Sequence, residues 1–293
     1  MKASPLRDLV TLAALWSASF LFMRVITPAF GPLPMAAVRV AGAALLLLPL
    51  LAWRRELPSL TTHWRALLVV GVTNSALPFA LFGFAALHLT GGLSAVFNAA
   101  TPLFAALIAW LWLRQTLTPW RIAGLGIGFI GVSGLAWVRA DGTEAGGPVL
   151  AIAACLLAPL SYGFAANFTR KYLTGVPSLV VATGSQIAAA LALAVPAALT
   201  WPEHNPAPVQ WGQMAALALF CTGIAYILFF RLIAQAGAAY ATTVTYLVPA
   251  FAVLWGGLFL AESVSFALVV GCVVILVGTA LATGAWPRAA PAG

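Results

Sequence analysis

The sequence predicts an all-α integral membrane protein of ten transmembrane helices, arranged as two inverted five-helix repeats. Three observations carry that prediction. The 293-residue chain is 63% hydrophobic and only 7% charged, whereas soluble domains are roughly half apolar and a quarter charged. Its apolar residues fall into runs of about 20, the length that crosses a bilayer as a helix. The stretch from Trp64 to Ala136, shifted by 147 positions, lies over Trp211 to Thr283 without a gap. In that overlay Trp64 meets Trp211, Phe82 meets Phe229, Pro102 meets Pro249, Gly124 meets Gly271 and Gly131 meets Gly278.

Each span is bounded by charge, proline or glycine. The first, Asp8 to Pro28, follows Lys2 and Arg7; the second, Pro34 to Trp53, stops at Arg54 and Arg55. The third runs Arg65 to His88, and the fourth runs Gly91 to Leu113 and ends at Arg114. The fifth spans Thr118 to Arg139 and the sixth Gly147 to Arg170. Val176 to Thr200, Gln210 to Gln235, Gly237 to Leu260 and Ser263 to Gly284 complete the set. The two repeats are thus expected at residues 1–139 and 147–284. Their earlier parts match more loosely, with Trp16 and Arg24 over Tyr162 and Arg170, and Pro34 over Pro177.

Orientation follows from the basic residues. Eleven of the 14 Lys and Arg fall on one side of the predicted topology, and the side richer in such residues is the cytoplasmic one. Both termini are therefore expected in the cytoplasm of a cell (inner) membrane protein. The net charge of +8 is read as this topology signal, so no nucleic-acid partner is expected; the partners are the lipid bilayer and a small-molecule substrate. An odd number of spans per copy makes the second copy enter from the opposite face, and such inverted halves rock about one central cavity.

The composition also excludes chemistry. Lys2 and Lys171 are the only lysines, so a Walker A motif, which requires Gly-Lys, is absent. Cys155, Cys221 and Cys272 lie in separate apolar runs with no paired spacing and read as packing residues, with no metal site and no cofactor indicated. The six acids, Asp8, Glu56, Asp141, Glu144, Glu203 and Glu262, fall at span ends or in breaks. No mid-membrane carboxylate is available to carry a proton, which favours facilitated diffusion over proton-coupled efflux. The alternatives are such coupled export of other metabolites or drugs, and a non-transporting structural protein; the latter would show no uptake or efflux.

Four prolines sit near span centres: Pro78, Pro102, Pro159 and Pro249. Each frees the carbonyl four residues earlier, at Asn74, Asn98, Cys155 and Thr245, and is a candidate hinge. Around that depth lie Trp16, Ser75, Phe79, Thr101, Tyr162, Tyr226 and Tyr246, together with Ser17, Asn167 and Thr222. An uncharged, aromatic pocket with hydroxyl and amide groups suits a zwitterion with an apolar side chain. Arg24 and Arg39 lie within spans near the opposite face from the termini; they either draw substrate carboxylates to the outer mouth or snorkel to headgroups.

The segments "ALWSASFLFMR" (14–24), "FNAATPLFAALIAWLWLRQTLTPWRIAGLGIGFIGV" (97–132) and "TYLVPAFAVLWGGLFLAESVSFALVVGCVVILVG" (245–278) resemble the EamA-type branch of the drug/metabolite transporter superfamily. Within it the chain is most similar to the YddG-type exporters, which implies outward transport of aromatic and other neutral amino acids. By this resemblance Trp16, Asn74, Ser75, Asn98, Thr101 and Tyr162 are the foremost substrate-binding candidates. One departure is visible: the second copy has Glu262 where the first has Gln115, so matched acidic gates are not expected.

Overall fold

The computed structural model describes residues 4–140 and 147–284; Lys2, Asp141, Glu144, Trp286 and Arg288 lie outside them. Among the described residues the chain is all-helical. Ten helices are long and apolar enough to cross a membrane: Pro5–Phe30, Pro32–Trp53, Trp64–Ala86, Gly91–Leu113, Pro119–Val138, Pro148–Tyr172, Ser178–Leu199, Pro208–Ala236, Tyr240–Leu260 and Phe266–Thr283. The predicted spans are all present. The first and eighth are longer than expected at both ends; their starts move out because Pro5 and Pro208 occupy the first helical turn, where a missing N–H costs nothing.

The halves interlock rather than sit side by side. The second span packs on the seventh and the fifth on the tenth, while the first lies against the ninth and eighth and the sixth against the fourth and third. Exchanging the repeats maps this pattern onto itself, as a two-fold axis in the membrane plane requires. Close packing repeats as well. A Cβ on Gly42 would meet the Ala218 methyl, and one on Gly71 would meet Ala189; these are the same contact in the two halves, 147 residues apart. The second and seventh spans are therefore in register at 147, not at the offset that set Pro34 over Pro177.

The fifth and tenth spans approach most closely. A Cβ on Gly278 would run into the Gly128 backbone, and its mate Gly131 faces Ile275. In lipid, where apolar burial gives no net drive between helices, such small-residue contacts supply the packing. The ends of the fourth and ninth spans also match: Arg114 and Ala261, again 147 apart, both take left-handed backbone at φ 52.

The four candidate hinge prolines sit in different local geometries. The third span carries a wide π-helical turn at Val72–Ala76 just before Pro78. The eighth carries one at Leu219–Ile224, the equivalent place, although Ala225 stands where Pro78 does. Proline is thus not what produces the turn. Pro159 and Pro249 lie inside uninterrupted helices; only Pro102 follows a real break, at Ala99–Ala100. The ninth span breaks at Thr243, which is not the equivalent position.

Candidate functional site

Ser75 and Thr222 are the middle residues of the third and eighth spans, and both sit in the π-helical turns, which widen the helix and turn a polar side chain inward. Ser75 Oγ accepts from Gln186 Nε2 at 2.9 Å. Thr222 Oγ1 accepts from Arg39 Nε at 2.9 Å. Arg39 and Gln186 are 147 residues apart, as are Ser75 and Thr222, so the two hydrogen bonds are symmetry mates. The Arg39 guanidinium also lies 3.7 Å over the ring of Phe79, whose counterpart in the second half is Tyr226.

Further polar groups close the layer. Arg39 donates to Ser19 Oγ at 3.2 Å and to Met23 Sδ at 3.6 Å. Asn74 Nδ2 donates to the Tyr226 hydroxyl at 3.2 Å. Tyr162 stacks on Phe82 at 6.3 Å between centroids. Arg39 is 4% exposed and Ser75 and Gln186 are fully buried, while Asn74, Tyr162 and Tyr226 are half-buried. A buried guanidinium is expensive in a membrane interior and marks a functional position; the π-face of Phe79 offsets part of that cost, about 0.5–2 kcal/mol.

Five of the nine substrate-binding candidates, Asn74, Ser75, Phe79, Tyr162 and Tyr226, come together in this layer. Trp16 flanks it through a run of rings, packing on Phe229, which meets Phe230, which stacks on Tyr226. The other three do not join. Thr101 folds its hydroxyl back onto the Asn98 carbonyl at 2.7 Å, satisfying the acceptor that Pro102 frees, and its further contact is the Asn98 side chain. Tyr246 points to the span ends, where its hydroxyl meets Thr283 at 3.1 Å.

Of the two readings offered for Arg39, snorkelling does not describe it, because it turns inward to Thr222; sequence reasoning missed Gln186 and Ser19. The signal was present: extending the 147-residue shift back into the second span sets Arg39 over Gln186. Arg24 does stay at the span end, donating to the Ala86 carbonyl at 2.6 Å.

The acids with described side chains in the spans' vicinity serve the two faces of the bundle. Asp8, 3% exposed, makes a paired contact with Arg231 at 2.6 and 2.7 Å, joining the first and eighth spans. On the other face Glu262 accepts from the Gly91 and Gly92 amides at 3.0 and 3.4 Å, a carboxylate at the positive end of the fourth span. Its counterpart Gln115 instead sets its carboxamide against Arg170.

Ten crossings in two oppositely directed halves, with both halves contributing to one polar layer at mid-depth, define the architecture of a secondary membrane transporter. The chain belongs to the EamA-like transporter family, whose profile matches residues 9–137 and again 149–284. It is 22% identical to the uncharacterized transporter YvbV of Bacillus subtilis, over 93% of this chain and 89% of that one. It is 28% identical to the uncharacterized inner membrane transporter YedA of Escherichia coli, over 85% and 80%. Protein PecM of Dickeya dadantii is 27% identical over 89% and 86%. A solved crystal structure shares the fold at a TM-score of 0.66 and 20% identity, covering 95% of this chain and 96% of the other. The protein is a multi-pass membrane transporter of small molecules, not an enzyme.

Proposed function

We propose that the protein exports small neutral or zwitterionic amino acids, aromatic ones among them, by alternating access and facilitated diffusion, with both termini in the cytoplasm of an inner membrane. The observation that carries this reading is the mated polar layer at mid-span, built from residues of both halves. A site shared by the repeats is exposed to one side or the other as they rock. Amide and hydroxyl groups at Asn74, Ser75, Gln186, Tyr162 and Tyr226, flanked by Phe79, Phe82 and the Trp16–Phe229 pair, suit a polar head with an apolar side chain. Facilitated diffusion is supported by the placement of Asp8 and Glu262 at the bundle ends, away from the layer where a coupling proton is commonly carried.

The test is counterflow in proteoliposomes holding labelled phenylalanine, leucine or threonine. Saturable exchange that persists when the proton gradient is collapsed supports the reading. Flux that is absent for all three, or that vanishes with the gradient, overturns it.

A further inference from the structure

We infer that Arg39 is the carboxylate-binding group of the transport pathway and that Gln186 receives the ammonium end of the same solute. This rests on the transport reading above and names the chemistry that the site selects.

The guanidinium carries five N–H donors. Its acceptors are two hydroxyls, Thr222 and Ser19, and a thioether, Met23. Sulfur is a weak acceptor, so the donor set is under-used. Among the described residues no carboxylate pairs with it: Asp8 is held by Arg231, Glu262 by the amides of Gly91 and Gly92, and Glu56 and Glu203 lie in breaks between spans. Phe79 covers one face of the fork and leaves its edge, the side that takes a carboxylate with two parallel hydrogen bonds.

The opposite deficit lies in the same layer. Gln186 is fully buried and spends its Nε2 on Ser75, while its Oε1 has no hydrogen-bond partner. A buried acceptor left unmet is costly and calls for a donor. Ser75 and Phe79, one helical turn apart on the third span, connect the two groups, since Gln186 donates to the first and Arg39 lies over the second. Surplus donors on one half and a vacant acceptor on the symmetry-mated residue of the other match the two ends of a zwitterion. The repeat is symmetric in backbone here and asymmetric in charge, which orients the solute.

The experiment titrates tryptophan fluorescence of the purified full chain with phenylalanine, phenylalaninamide, phenylalaninol and 3-phenylpropionate, alongside counterflow of labelled phenylalanine. The wild type should prefer the acid over the amide and the alcohol by at least about tenfold, since a built hydrogen-bonding site rejects analogues lacking its partner. Arg39→Gln should erase that preference, and Gln186→Leu should weaken phenylalanine while leaving 3-phenylpropionate within about twofold. Should Arg39→Gln fail to elute as a monodisperse species, Arg39→Lys replaces it: keeping the charge but losing the fork, it should bind the acid more weakly and still prefer it to the amide.

An acid preference that survives Arg39→Gln overturns the inference, as does a wild type that exchanges phenylalanine yet binds acid, amide and alcohol alike. In both cases the transport reading stands. A wild type that neither binds nor exchanges any of the probes overturns both.

Discussion

Arg39 and Gln186 occupy equivalent positions, and each donates to the hydroxyl at the centre of a span from the other half. Their consequences on mutation differ because one is charged. Thr222→Ala leaves a buried guanidinium N–H without its best acceptor, whereas Ser75→Ala leaves a neutral amide unmet. An unsatisfied buried group costs about 1–3 kcal/mol, more when charged. Thermal unfolding in detergent should therefore show a larger drop in Tm for Thr222→Ala than for Ser75→Ala; equal drops would mean that Arg39 finds other acceptors. At this scale the sequence was only half legible. Asn74, Ser75, Tyr162 and Tyr226 are visible as polar residues at mid-span, but the direction a side chain takes around a helix depends on local winding. The π-helical turns at Val72–Ala76 and Leu219–Ile224 shift that direction and leave no motif behind.

Helix pairs give sharper expectations. The fifth and tenth spans meet through Gly128 and Gly278, where an added Cβ strikes backbone, while Gly126 and Gly134 have open space around them. Gly278→Leu should abolish the monodisperse peak in size-exclusion chromatography. Gly126→Ala and Gly134→Ala should leave it intact, and helix propensity favours alanine at both by about 1 kcal/mol. Ala261 ends the ninth span in left-handed backbone, a conformation costing a residue with a Cβ about 1 kcal/mol. Ala261→Gly should raise Tm, and an unchanged or lower Tm would show that the strain is relieved in another way. The repeat overlay sets Gly124 over Gly271 and Gly131 over Gly278. Which glycines touch and which face lipid was not legible there, because the pairing of spans comes from outside either helix.

At the scale of the molecule, interlocked halves tie function to topology. The Asp8–Arg231 pair and the Glu262 cap hold opposite faces of the bundle, and an opening that parts the first span from the eighth would break the former. Arg231→Gln strands a carboxylate that is 3% exposed and should speed solvent access from that face. Alkylation of a cysteine introduced at Ser19, in a background with Cys155, Cys221 and Cys272 replaced by alanine, measures this; an unchanged rate would show that the pair does not gate. Reporter fusions at the two ends should both read as cytoplasmic, and opposite readings would refute the inverted arrangement on which the site depends.

The sequence by itself determined that this chain lives in a bilayer, crosses it ten times and consists of one unit used twice. Hydrophobic length and internal repetition are one-dimensional properties, readable without any contact. Only the tertiary structure decided that Arg39 faces inward, that Gln186 is its mate, and that Asn98, Thr101 and Tyr246 stand apart. Those facts arise where helices distant in the chain press together. There a few degrees of winding and the size of a neighbouring side chain decide whether a polar group meets lipid or another polar group.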